Sequence, residues 1–205
     1  MKWSGKSHAE FEQAPVGTHA ARCIKIIDIG THESEYQGAA NIRRQCVIVF
    51  ELPEAMMTHG ESAGKPFIVS KFYTASLNEK ATLRKDLVCW RGREFSETEL
   101  EGFEAKNILD KTCLLSITAN DKGKSRIAGI MALPKRQVLP PRVNDLVYFS
   151  LDEFDHKVFE SLSEGYKKLI TESPEYHRLM KDAHKPDVAD ETGSQAPGYD
   201  DDVPF

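Results

Sequence analysis

Apolar and polar residues alternate along much of the chain up to Leu133, and the period of the alternation changes in the middle. From Thr18 to Ile29, between Gly17 and Gly30, apolar side chains fall at Ala21 and Cys23 and then at Ile24, Ile26, Ile27 and Ile29. The slip in phase predicts one long strand with a bulge or strong coil, as a small closed barrel needs where one strand serves two sheets. Thr31 to Ile42 is polar and turn-like. A second strand is expected from Arg43 to Leu52, with Cys46, Ile48, Phe50 and Leu52 on one face and Arg43, Gln45, Val47, Val49 and Glu51 on the other. A loop from Pro53 to Pro66 leads to a third strand, Phe67 to Tyr73. Phe67, Val69, Lys71 and Tyr73 share one side of it; Ile68, Ser70 and Phe72 share the other.

The period then becomes helical. Leu77, Ala81, Leu83, Leu87 and Trp90 form a stripe over Ser76 to Trp90, with Ser76 and Glu79 spaced as a capping box and Gly92 closing the helix. Ser96-Glu97-Thr98-Glu99 opens a short second helix to about Phe103, again with capping-box spacing. Strands return at Lys111 to Ala119 and Ser125 to Leu133, joined by the turn Asp121-Lys122-Gly123-Lys124.

Three strands, a helical insert and two strands is the order of the OB-fold, a partly open five-stranded barrel. A β-sandwich, or an α+β sheet with the insert on one face, shares this periodicity. The expected chain is mainly β: an arm at 1–16, an OB-fold nucleic-acid-binding domain at 17–140 ending near Pro140-Pro141, and a helical extension at 141–183. In that extension, Phe154, Val158, Phe159, Leu162, Tyr166 and Leu169 give 152–169 one apolar stripe, and a short helix follows Pro174. The stripe leaves three options open: closing the barrel end, pairing with a second copy as a homodimer, or contacting the tail. From His184 the chain is Pro, Gly, Asp and Glu with almost nothing apolar before Val203, the composition of a disordered acidic tail at 184–205.

Charge sharpens this division. The chain carries −5 overall, and residues 184–205 alone hold one Lys against six Asp or Glu. Residues 1–140 carry +3, so a weakly basic body is joined to an acidic tail. No apolar run approaches the roughly 20 residues that span a bilayer, and the first residues lack the apolar core of a signal peptide. The expectation is a cytoplasmic protein with no membrane partner. Cys23, Cys46, Cys89 and Cys113 show no C-x-x-C pair and no histidine at ligand spacing, so free thiols are expected and no metal or other cofactor.

Catalytic motifs are missing. Gly5-Lys6-Ser7 lacks the upstream glycine and strand of a phosphate loop, and no H-E-x-x-H or nucleophile elbow occurs. Glu97, Glu99, Glu101 and Glu104 scatter around a helix, and the histidines are dispersed. The chain does not read as an enzyme. Single-strand binding needs cations along phosphates and rings under bases. Arg43, Gln45, Phe67, Lys71 and Tyr73 would form such a face on the second and third strands, where OB-folds carry oligonucleotides. Trp90, Arg91 and Arg93 after the helix, and Lys122, Lys124 and Arg126 at the hairpin, would flank it. The structural readings beside these are rings packed under the insert, an indole folded onto the core, and cations that only solvate.

The chain closes on Asp200-Asp201-Asp202-Val203-Pro204-Phe205, three carboxylates followed by an apolar, aromatic end that can dock in a pocket rimmed by Arg or Lys. This stretch resembles the acidic tip of bacterial single-stranded DNA-binding proteins, which ends Asp-Asp-Asp-Ile-Pro-Phe; only Val203 departs from it. The body lacks the bacterial proteins' N-terminal pattern and long Gly/Gln-rich linker. It is similar instead to phage-encoded single-stranded DNA-binding proteins. That similarity rests on Gly17-Thr18-His19-Ala20-Ala21-Arg22, Ser70-Lys71-Phe72-Tyr73-Thr74-Ala75-Ser76-Leu77, Leu83-Arg84-Lys85-Asp86-Leu87 and Trp90-Arg91-Gly92-Arg93-Glu94-Phe95. The resemblance implies an OB-fold, sequence-tolerant binding of single-stranded DNA in replication and recombination, and a tip that recruits partner proteins and competes with DNA for the binding face. Two other readings remain: an adaptor whose tail binds replication proteins without DNA affinity, and a metal-dependent nuclease.

Overall fold

The computed structural model describes residues 12–36 and 39–183. The expected arm up to residue 11, and the acidic tail with Asp200, Asp201, Asp202, Val203, Pro204 and Phe205, lie outside the described residues.

The fold is mainly β. Strands β1 (Gly17–Tyr36), β2 (Ala39–Met56), β3 (Pro66–Thr74), β4 (Thr112–Ala119) and β5 (Ser125–Ala132) form an antiparallel sheet in the order β3-β2-β1-β4-β5. A short β6 (Val147–Phe149) runs parallel to β1 through Lys25, Ile26 and Ile27. Helices α1 (Thr82–Arg91) and α2 (Glu97–Glu101) form the insert between β3 and β4, and α3 (His156–Ser161), α4 (Glu164–Thr171) and α5 (Pro174–Ala183) follow β6. Among the described residues, no helix is long and apolar enough to cross a membrane.

The phase slip in β1 has a direct structural meaning. Its pairing with β2 shifts register between Cys23 and Lys25 and between Asp28 and Gly30. The shifts send Ala21, Cys23 and Ile26 into one core and Ile24, Ile27 and Ile29 into another. The first core lies between the sheet and the insert, around Phe50, Leu52, Trp90 and Leu115. The second lies on the opposite face of β1 and β2, where Phe149, Phe159 and Ile170 cover Val47 and Val49. β2 is therefore buried on both faces at its centre. Glu51, fully buried, accepts hydrogen bonds from the backbone N–H groups of Val143 and Asn144 and fixes the chain that crosses to β6.

The sheet is not closed. Cα atoms of β3 and β5 come within 8 Å of each other, yet no ladder joins the two edges among the described residues. Helix α1 packs across both strands at one end of this seam. Residues 12–14 cross it at the other: Ser125 donates to the Ala14 carbonyl at 2.6 Å, and the Thr58 N–H donates to Glu12 at 2.8 Å.

Several boundaries differ from the periodicity. β1 and β2 extend into the polar stretch expected to be turn-like, pairing as far as Tyr36 and from Ala39, because a two-stranded arm needs no apolar face. α1 starts at Thr82, not Ser76; the Ser76 hydroxyl accepts from Asn78 N–H in a turn instead of capping a helix. Ser96 and Glu99 do form the expected capping box. The single helix expected over 152–169 is broken at Leu162 and Ser163, where an extended backbone lets the Leu162 side chain turn into the second core.

The projecting hairpin is anchored where it leaves the sheet. Glu175 of α5 accepts from both the N–H and the hydroxyl of Thr31. Partial burial opposes ionisation of Glu175, but the Thr31 hydrogen bonds outweigh it and lower its pKa below the ordinary 4.5. A depressed carboxylate stabilises the fold above its unfolded value, and that contribution is lost as pH falls through the folded value. The melting-temperature gap between the native chain and Glu175→Gln should therefore be present at neutral pH and shrink as pH drops below 4.5. A gap unchanged down to acid pH would deny the carboxylate this role.

Candidate nucleic-acid interface

The β2–β3 register decides which side chains share a face. Cys46 pairs with Tyr73, Ile48 with Lys71, Phe50 with Val69 and Leu52 with Phe67. Directly opposed residues point to the same side of a sheet. Phe67 and Tyr73 therefore join the first core, at 5% and 3% exposure, and cannot stack a base. Lys71 follows them inward. Its ammonium meets Asp86 of α1 at 2.6 Å, and the Tyr73 hydroxyl donates to the same carboxylate at 2.8 Å. Burial first, and then the Asp86 charge, push the Tyr73 phenol well above its ordinary pKa, so it remains a neutral donor. The expected face that joined Arg43 to Phe67, Lys71 and Tyr73 is not formed, because Arg43 and Gln45 continue the opposite face of β2.

The cluster after α1 is also structural. Trp90 is buried against Phe50, and its indole N–H donates to the Thr112 carbonyl at 2.8 Å. Arg91 lies over the Phe95 ring and pairs with Glu99. Arg93 donates to the same carboxylate at 2.6 Å. The Arg93 hydrogen bonds first, then the Ser96 N–H, hold the Glu99 pKa down at about 2. These contacts brace α1 against α2. Burial pushes the thiols of Cys23 and Cys46 up to about 12, which keeps both protonated and inert.

The other face of β3 is open. Ile68 and Phe72 are 46% and 52% exposed, with Ser70 between them. Phe72 is an exposed aromatic ring on this face. Val47 and Val49, the β2 neighbours of Phe72 and Ser70, are covered by the second core, so α3–α5 leave β3 as the uncovered strip. Antiparallel pairing puts the β1–β2 hairpin and the β4–β5 turn at opposite ends of this strip. At the hairpin end stand Gln45, paired with Thr74, and exposed Arg43, which donates to Asn41. At the turn end stand exposed Lys122, Lys124 and Arg126. The turn is fixed by Asn120, whose side chain accepts from the N–H groups of Lys122 and Lys124. Arg126 shares a shallow cleft with Ile68 and Ser70.

Five of the sequence-derived residues thus border one strip: Arg43, Gln45, Lys122, Lys124 and Arg126. Phe67, Lys71, Tyr73, Trp90, Arg91 and Arg93 are engaged in packing or ion pairs. Ile68 and Phe72 are the additions. The spacing of the strand contained both, but only the register shows which face is open. Among the described residues, no group of three or more His, Cys, Asp or Glu is placed to hold a metal ion. No protein-family model and no curated protein matches the chain.

Proposed function

We propose that the chain binds single-stranded DNA without strong sequence preference, along the outward face of β3. The observation that carries this reading is the exposed Ile68–Ser70–Phe72 strip, with Lys122, Lys124 and Arg126, which form no ion pair among the described residues, at its turn end and Arg43 at its hairpin end. Phe72 offers a ring to one base, Ile68 an apolar contact to another, and the cations track the phosphates. The architecture is read as an OB-type barrel opened along the β3–β5 seam. Strand order, the helical insert between β3 and β4, and the approach of β3 to β5 support it. In that fold the loops flanking strands 2 and 3 hold the ligand, which suits the hairpin and turn here. The acidic Asp200–Phe205 stretch serves in the same reading to recruit replication and recombination proteins.

The test is a titration of fluorescent oligo-dT at low and moderate salt. Four phosphate contacts, through Arg43, Lys122, Lys124 and Arg126, give a log–log salt slope of about −3, or roughly fiftyfold weaker binding between about 50 and 200 mM salt. Absence of binding at low salt would reject the reading. Exposed Ile68, Phe72 and Ile42 also suit a protein partner, and an adaptor of that kind would capture replication proteins while leaving oligo-dT unbound.

A further inference from the structure

A second concavity lies away from the β3 strip, where the ends of α1 and β5 meet the segment leading into β4. It has a volume of about 500 Å³, and its walls include Trp90, Arg91, Phe103, Asn107, Lys111 and Leu133. That volume suits one small organic molecule and is too small for a folded partner. One side is apolar, from Phe103 and Leu133. The other carries cations.

The cations are not balanced. Arg91 and Arg93 share the single carboxylate of Glu99. Nη1 of Arg91 is buried and has no hydrogen-bond partner. Such an unpaired buried donor is rare in folded proteins. Lys111 is exposed, lines the same cavity and makes no ion pair with any described residue. Glu99 also lines the cavity, but Arg93, outside the lining, already binds it through two hydrogen bonds, which leaves Arg91 and Lys111 as two cations of the lining without a carboxylate of their own. A phosphate monoester carries about −1.5 to −2 at neutral pH. An internal phosphodiester carries only one negative charge and could satisfy only one of these two cations.

We infer that this cavity binds a nucleotide bearing a terminal phosphate, with its base against Phe103 and Leu133 and its phosphate between Arg91 and Lys111. A free mononucleotide and the phosphorylated end of a strand both supply this chemistry. Only the strand-end source rests on the strand-binding reading above; the free nucleotide does not.

Trp90 reports on the site directly. The chain holds two Trp residues, so Trp3→Phe leaves Trp90 as the sole indole. Titration with dTMP should change its emission saturably, and thymidine, lacking the phosphate, should bind at least about tenfold more weakly. Lys111→Gln, an exposed change, should weaken dTMP binding about tenfold while leaving 5′-hydroxyl oligo-dT affinity unchanged. Displacement of dTMP by 5′-phosphorylated but not 5′-hydroxyl oligo-dT would identify the strand end as the source; failure of both oligonucleotides to displace it would identify the free nucleotide. No saturable change up to about 10 mM dTMP, equal binding of thymidine, or no effect of Lys111→Gln would overturn the inference. Loss of 5′-hydroxyl oligo-dT binding with an intact dTMP response would instead count against the β3 strip.

Discussion

Phe72→Ala should weaken oligo-dT binding by roughly 5- to 150-fold, the range that corresponds to about 1–3 kcal/mol for one stacked base. The ring is half exposed and belongs to neither core, so its removal leaves no cavity and the melting temperature should stay unchanged. That combination separates Phe72 from the rings first expected to stack. Phe67→Ala or Tyr73→Ala would also reduce binding, but through unfolding, since both lie in the first core. Equilibrium binding by fluorescence anisotropy, beside thermal melts of the same samples, checks both halves. A Phe72→Ala chain that binds as tightly as the native one would remove the base-stacking role from β3.

Gly30→Ala should be the most damaging single methyl group in the chain. Gly30 sits at the β1 register shift with φ +80°, a conformation that costs an L-residue strain. A Cβ there would also overlap the Cβ and hydroxyl of Ser173, which is fully buried at the start of α5. Backbone strain and overpacking together should cost about 2–4 kcal/mol. The loss should be local in origin: α5 would be pushed off β1, and with it the Glu175 grip on Thr31. Denaturant unfolding measures the total. Ser173→Gly in the same chain should recover part of it by removing the overlap while leaving the φ strain. A Gly30→Ala chain as stable as the native one would show that this junction yields without cost.

Much of the sheet could be read from the residues. Alternation in β2, β4 and β5 located those strands, and the broken phase of Ile24, Ile26, Ile27 and Ile29 announced a bulge in one long strand; the strand serves two cores on opposite faces of one open sheet, not two sheets of a closed barrel. The face of β3 could not be read in the same way. Both of its sides carry large apolar residues, Phe67 and Tyr73 on one and Ile68 and Phe72 on the other. Lys71 made the first side look outward. Its inward path depends on Asp86, fifteen residues later on a different element, and strand periodicity contains no trace of that pairing. The packing of Trp90 and the neighbouring arginines was illegible for a related reason: a cation beside an aromatic ring has the same composition whether it faces solvent or, as here, pairs with Glu99. β6 spans only Val147–Phe149, too short for any periodicity, and exists because Lys25–Ile27 leaves an edge that β4 does not cover.

In the proposed function a single strand lies along the outward face of β3, between the β1–β2 hairpin and the β4–β5 turn. Photocrosslinking of an oligo-dT carrying internal 4-thiothymidine and a 5′-hydroxyl, followed by peptide mapping, tests it most directly. The expected adducts fall on the peptide containing Ile68 and Phe72, with further adducts near Lys122–Arg126. Crosslinks confined to α1, α2 or the C-terminal helices, with none on β3, would contradict it.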